Sequence, residues 1–280
     1  GTALPSATVK ELASLMVGRE VLLEVDKAPA QLGQTTFVIE NLTAKDERGH
    51  LSLDNINLEI SEGEVVVIAG VQGNGQTELT EAIVGLIKAE GSIQLKGAEL
   101  IGQSVKQVLD SGVGFVPEDR TVDGLIKEFT VAENMILDRS DRAPFASGIN
   151  LKPKVISAFA DEKIAEFDVR TQSQNTSVGD LSGGNQQKVV LARELSRPLN
   201  LFIASQPTRG LDVGSIEFVH KQIIKTRDAG VPVLIVSTEL DEVYALADRI
   251  AVMYHGKIIG IVTPDATREK IGSLMAGVAE

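Results

Sequence analysis

Three glycines recur inside one short segment, Gly70–Thr77, which reads GVQGNGQT. An apolar run (EVVVIA, 64–69) precedes it, and TELTEAIVGL (77–86) follows with helical spacing. Strand, glycine loop and helix in that order open a βαβ unit. Gly70, Gly73 and Gly75 let successive backbone N–H groups turn inward, and a helix beginning near Thr77 adds its positive end. The chemistry this permits is anion binding, with Gly70, Gly73, Asn74, Gly75, Gln76 and Thr77 as the contacts. The spacing is that of the phosphate-binding pattern G-x-x-x-x-G-K-[ST], but Gln76 stands where the lysine belongs. Gln76 offers a neutral donor in place of a point charge. Taken alone, the segment also reads as a tight turn and nothing more.

A second segment, Leu181–Lys188, reads LSGGNQQK and leads into an apolar helical stretch. Ser182 is a good N-cap, and the amides of Gly183 and Gly184 at a helix start can hold a phosphate. Further on, the apolar strand Leu201–Ala204 runs into Ser205-Gln206-Pro207-Thr208 and then Arg209-Gly210-Leu211-Asp212. Another apolar run, Val233–Ser237, ends at Thr238. With all four segments in this order over residues 37–262, the chain resembles the ATP-binding-cassette (ABC) ATPases. LSGGNQQK resembles their signature, and 201–212 their catalytic strand and D-loop.

The resemblance implies ATP and Mg²⁺ as cofactors, with Thr77 a weak Mg²⁺ contact. It also marks where this sequence departs from a competent site. Ser205 and Gln206 stand where the family has Asp-Glu, the metal holder and the base for the attacking water. Thr238 replaces the switch histidine, and Glu118 in VPEDR replaces a glutamine. The expected adenine-stacking aromatic before Ser52-Leu53 is absent, with Arg48 or His50 as weak substitutes. Loss of a general base costs about 10²–10⁴-fold in rate, so no catalytic set is intact here. The glycines and the signature remain. ABC domains pair head to tail, each ATP lying between one P-loop and the other domain's signature. On that logic Ser182, Gly183, Gly184, Asn185 and Asp212 serve a partner domain's site.

Residues 5–18 (PSATVKELASLMVG) and 264–277 (PDATREKIGSLMAG) share seven of fourteen positions. This repeat reads as two similar amphipathic helices or as one domain's C-terminal tail present at both ends; on the second reading, the favoured one, an upstream ABC domain is expected in a longer chain. The start at Gly1 likewise reads as an excised piece. VPEDR, SGGNQQKVVLARELSR, PTRGLDVG and STELDE are similar to the second ATPase half of simple-sugar and nucleoside importers. GNGQTEL and RIAVMYHGKIIG are most similar to the nucleoside branch. The resemblance implies transmembrane permease subunits as partners, a substrate-binding lipoprotein indirectly, and a place on the cytoplasmic face of the plasma membrane. Phe129 and Phe145, after Glu118, are candidates to receive the permease, although ordinary core is the favoured reading of either one alone. A non-transport ABC ATPase and a nucleotide-free dimerisation module are the alternatives.

These segments need a scaffold, and the composition supplies one. The 280 residues are 43% hydrophobic and 24% charged, an ordinary globular balance. The net charge of −12 argues against nucleic acid as a partner. The longest apolar runs are of strand length, far short of a membrane span. No cysteine is present, so disulfides and thiolate metal sites are excluded. Three histidines lack metal-ligand spacing, and no Ser/His/Asp order supports a hydrolase triad. His220 reads as packing, Asp161–Lys163 as a solvated helix face, and Asp241/Glu242 as a helix start.

The expected fold is α/β: an ABC ATPase fold with a P-loop (RecA-like) parallel-sheet core, an antiparallel β subdomain and an inserted helical subdomain. Residues 1–36 are expected to be an upstream tail plus linker and 37–262 the nucleotide-binding domain. Within it, about 125–197 is helical, and 263–280 forms a helical tail. FVIENLTA and SLDNINLEI are expected strands around a turn at Arg48-Gly49. Ile250–Tyr254 and Lys257–Val262 should pair around His255-Gly256.

Overall fold

The computed structural model describes residues 27–46 and 48–278. The first copy of the repeat, 5–18, lies outside the described residues.

Strands β1 (Thr35–Lys45) and β2 (Leu51–Ser61) form the expected hairpin. Apolar residues alternate inward at Phe37 and Ile39, then at Leu42 and Ala44. The phase changes at a bulge, where Asn41 takes φ +51°. One extra residue there keeps the apolar side facing the core. Strands β4 (Ala89–Leu95) and β5 (Ala98–Glu99) extend this antiparallel sheet in the order β2-β1-β4-β5.

The second sheet holds β3 (Val65–Ala69), β6 (Val113–Val116), β9 (Leu201–Ser205), β10 (Val233–Ser237), β11 (Arg249–Tyr254) and β12 (Lys257–Val262). Its order is β12-β11-β3-β10-β9-β6, parallel except for β12. Strands β3, β9 and β10 are buried at every residue. Both faces are covered, so these strands read as continuous apolar runs rather than alternations. Val66 and Ile68 face the antiparallel sheet and helix α1 (Gln76–Val84). Val65, Val67 and Ala69 face the opposite, larger cluster.

Helix α2 (Val105–Asp110) and β6 lie in a stretch for which no element was expected. A π-helical turn, Arg120–Gly124, follows VPED, with Asp119 capping its start. Within 125–197 lie α3 (Val131–Met135), α4 (Pro153–Glu166) and α5 (Gly183–Leu195). A two-residue pair, β7 (Ala146–Ser147) with β8 (Asn150–Leu151), sits among them. Thr130 and Glu133 make a reciprocal capping box on α3. Phe145 is buried against Phe159, ring centroids 4.9 Å apart, beneath Arg139. That removes it as a surface for a permease, because no face of the ring is left to contact. Phe129 stays 41% exposed.

Helices α6 (Val213–Asp228) and α7 (Leu240–Leu246) flank β10, and α8 (Arg268–Met275) closes on β11 through buried Ile271. The parallel core, antiparallel β region and helical region match the expected fold class. Residues 27–34 lie against the body: Lys27 Nζ donates to Leu246 O (3.0 Å), Arg227 Nη2 to Ala28 O (2.9 Å) and Gly33 N to Glu62 O (2.8 Å).

Candidate phosphate-binding site

Parallel strands aim their carboxyl ends at one edge. Register pairs Ala69 with Ser237, Ser205 with Val236 and Val116 with Ala204. The residues just beyond these ends therefore gather on the same side: Gly70, Glu118, Gln206 and Thr238. Open parallel sheets bind ligands at that edge.

The glycine loop is built as a cradle. Gly73 and Gly75 take φ +88° and +103°. A methyl carbon at Gly75 would fall 2.5 Å from Ser52 O, so conformation and packing both require glycine there. Gln76 is buried and folds back into the loop. Its Oε1 accepts from Asn74 N (3.0 Å), and its Nε2 donates to Val71 O (2.9 Å). One amide of the cradle is thereby occupied from within, which an ammonium at 76 could not do. Asn74 is structural: its side chain donates to Val71 O (2.8 Å) and accepts from His255 N (2.8 Å). This pins the loop to the β11–β12 turn.

Thr77 Oγ1 donates to Glu118 Oε2 (3.0 Å). The other oxygen, Glu118 Oε1, accepts from Gln72 Nε2 (3.1 Å) and Arg209 Nη1 (2.6 Å). The VPEDR loop, the glycine loop and the loop after β9 thus meet on one carboxylate. Ser205 Oγ is buried and has no hydrogen-bond partner among the described residues. It lines a cavity of about 330 Å³ together with Thr77, Glu118, Glu81, Asp123 and Arg193. Burial, with Glu78 and Asp123 nearby, pushes the Glu81 carboxyl above the usual range.

Gln206 sits in the left-handed region at φ +47°, and its Oε1 faces Thr238 N (3.4 Å) and Thr238 Oγ1 (3.3 Å). Two positions singled out as departures are therefore partners. Neither holds a charge, so the pair can orient a group but cannot take its proton.

Ser182 is the N-cap of α5, yet its hydroxyl makes no capping bond. It accepts instead from Asn185 Nδ2 (2.9 Å), while Asn185 Oδ1 accepts from Arg170 N (2.8 Å). Asp212 caps α6 through Ser215 N (3.0 Å) and Ser215 Oγ (2.6 Å). The Ser215 hydroxyl, and then its N–H, hold the Asp212 carboxyl below its ordinary value. A methyl carbon on Gly184 would fall 3.1 Å from Asp212 Oδ2, so the signature segment and Asp212 are neighbours. Arg120 donates to Arg209 O (3.0 Å), and a methyl carbon on Gly183 would fall 2.6 Å from its Nη2.

Sequence reasoning assigned no role to Arg209, Gln72 or Arg120. Two of them lie inside the quoted stretches PTRGLDVG and VPEDR, and a cation beside each loop was the available signal. Arg48 and His50 sit exposed on the β1–β2 turn, His50 against Asp46.

The ABC transporter family matches residues 53–209, from β2 through the glycine loop and signature to Arg209. The chain is 46% identical to the nucleoside import ATP-binding protein NupA of Lactococcus lactis, over 98% of this chain and 54% of that protein. It is also 46% identical to the guanosine import ATP-binding protein NupO of Bacillus subtilis, over 95% of this chain and 53% of that protein. The chain spans about half the length of these relatives. A nucleotide-free ATP-binding cassette aligns with TM-score 0.72 at 22% identity, covering 87% of this chain and 96% of that one. A dimeric cassette bound to ADP and Pi aligns with TM-score 0.71 at 24% identity, covering 82% of this chain and all of that one. At these identities the structures speak to the fold alone. By its sequence over residues 53–209, and with a fold to match, the chain belongs to the ABC transporter family.

Proposed function

We propose that this chain is the second ATP-binding half of an importer for nucleosides or simple sugars. An upstream ABC domain in the same longer chain is its partner, corresponding to the other half of the relatives' length. Its signature residues Ser182, Gly183, Gly184 and Asn185, with Asp212, complete the ATP site on that partner. The domain boundaries are 1–36, 37–262 and 263–280, with the helical subdomain near 125–197. Permease subunits hold the pair at the cytoplasmic face of the plasma membrane, with a substrate-binding lipoprotein beyond them. No described helix is long and apolar enough to cross a membrane.

The observation that carries this reading is Gln76 folded into its own loop. The side chain occupies one amide of the loop from within and brings no charge, so a nucleotide is held weakly. Ser205, Gln206 and Thr238 supply no base, so a nucleotide held here is not turned over. ATP hydrolysis belongs to the partner's P-loop, with this chain's α5 N-terminus facing the γ-phosphate.

ATP fits the glycine cradle. Mg²⁺ fits this chain's own loop poorly. It favours several oxygen ligands in near-octahedral geometry, whereas Thr77 is committed to Glu118, and Glu118 is already matched by Arg209. Among the described residues no group of three carboxylates or imidazoles could hold a metal ion. Mg²⁺ is accordingly assigned to the partner's complete site.

Calorimetric titration of the chain with Mg-ATP, before and after Gln76→Lys, tests this. Weak binding that the lysine tightens about tenfold or more is expected, since a charged donor replaces a neutral one. No binding by either form would leave the loop as architecture only. Turnover of about one per second by the chain alone, the low end of ordinary enzymes, would contradict an incomplete site.

A further inference from the structure

Glu118 places a carboxylate beside Thr77, where an incoming phosphate chain would meet like charge. Arg209 lies against that carboxylate, its Nη1 2.6 Å from Oε1. The Arg209 side chain is 59% exposed, and its Nε and Nη2 have no partner among the described residues. A planar guanidinium can hold a carboxylate with one edge and a phosphate with the other. Ser205 Oγ, buried and unpartnered among the described residues, lines a cavity with Thr77 and Glu118 and adds a hydroxyl donor there, related to Arg209 only in that both groups adjoin Glu118. No other cation contacts Glu118 among the described residues.

We propose that Arg209 is the phosphate-binding cation of this site, standing where a divalent metal would otherwise neutralise Glu118, so that the glycine loop takes a nucleotide without Mg²⁺. The proposal rests on the reading of Gly70–Thr77 as a nucleotide cradle. It assigns the missing charge of position 76 to a residue from a different loop. Arg209 also hands its carbonyl to Arg120, whose Nη2 abuts Gly183.

The test is calorimetric titration of the 280-residue chain with ATP, once in excess Mg²⁺ and once in excess EDTA. The expected dissociation constants agree within about threefold, because the cation is built in. Arg209→Gln should weaken binding in EDTA at least about tenfold and make it depend on Mg²⁺. Arg209→Lys, which keeps the charge, should bind in EDTA within about fivefold of the parent. Thermal unfolding of Arg209→Gln at the parent temperature verifies an intact fold, as expected for an exposed side chain. Parent binding that vanishes in EDTA overturns the proposal while leaving a metal-dependent nucleotide pocket. Arg209→Gln binding as tightly as the parent in EDTA overturns it too. No ATP binding in either buffer overturns the cradle reading itself, and the proposal with it.

Discussion

Thr208 Oγ1 donates a 2.6 Å hydrogen bond to Glu242 Oε1, joining the loop after β9 to the first turn of α7. His220 Nε2, from α6, lies 3.2 Å from the same oxygen, and all three residues are buried. The loop that carries Arg209 is thereby tied to the helix that follows Thr238. Thr208→Val removes the donor and leaves a buried carboxylate short of a partner. A loss of about 1–3 kcal/mol in unfolding free energy follows, read by urea titration, with Thr208→Ser near the parent. A change below about 0.5 kcal/mol, the size of an ordinary surface substitution, would contradict this role.

Gly184 has its neighbours pressed against it. A methyl carbon there would fall 2.1 Å from Ser215 Oγ, which is itself fixed by Asp212. Gly184→Ala should cost about 1–3 kcal/mol through overpacking. Adding Ser215→Ala removes the obstructing oxygen, so the double variant should recover part of that loss. Strict additivity of the two changes in a double-mutant cycle would rule the clash out.

Arg227 is fully buried and pairs with Asp248 at 3.0 Å and Asp228 at 2.7 Å. Asp248 also accepts from Val65 N (2.9 Å) and faces Lys27. Asp248→Ala strands part of a buried guanidinium and should cost about 3 kcal/mol or more. It should also loosen residues 27–34, which limited proteolysis would detect as new cleavage there. An unchanged digestion pattern would show that this ion cluster does not anchor that segment.

Asp212 gives the pH dependence a sign. Ser215 holds its carboxyl below the ordinary aspartate value, so the folded state prefers the ionised form. The stability this contributes is present above pH 3.8 and is lost as pH falls through the lower folded value. The parent should exceed Asp212→Asn in urea midpoint at pH 7, and the gap should narrow by pH 3. A gap that widens on acidification would reverse the assignment. The effect is small, because the residue is exposed at a helix cap and solvent screens it.

Much of the frame was legible in the residues. Continuous apolar runs marked β3, β9 and β10, since buried parallel strands need no polar face. Glycines at 73 and 75 marked the loop, since their positive φ angles exclude most side chains. Strands β4, β5 and β6 and helix α2 were missed, being short and weakly periodic; β4 carries four polar or glycine residues in seven. Phe145 could read as core or as a docking residue for a different reason. Whether an aromatic ring lies inside or outside the helical region depends on Phe159 and Arg139 across from it. The same holds for the site. Types and order within each loop identified the cradle, the signature and the departures. The meeting of Glu118 with Arg209, and of Gln206 with Thr238, required sheet order and register, which bring strand ends far apart in sequence to one edge. Local pattern encodes backbone conformation because its causes lie within a few residues, whereas a charge pair across loops forms only once the sheet has set their separation.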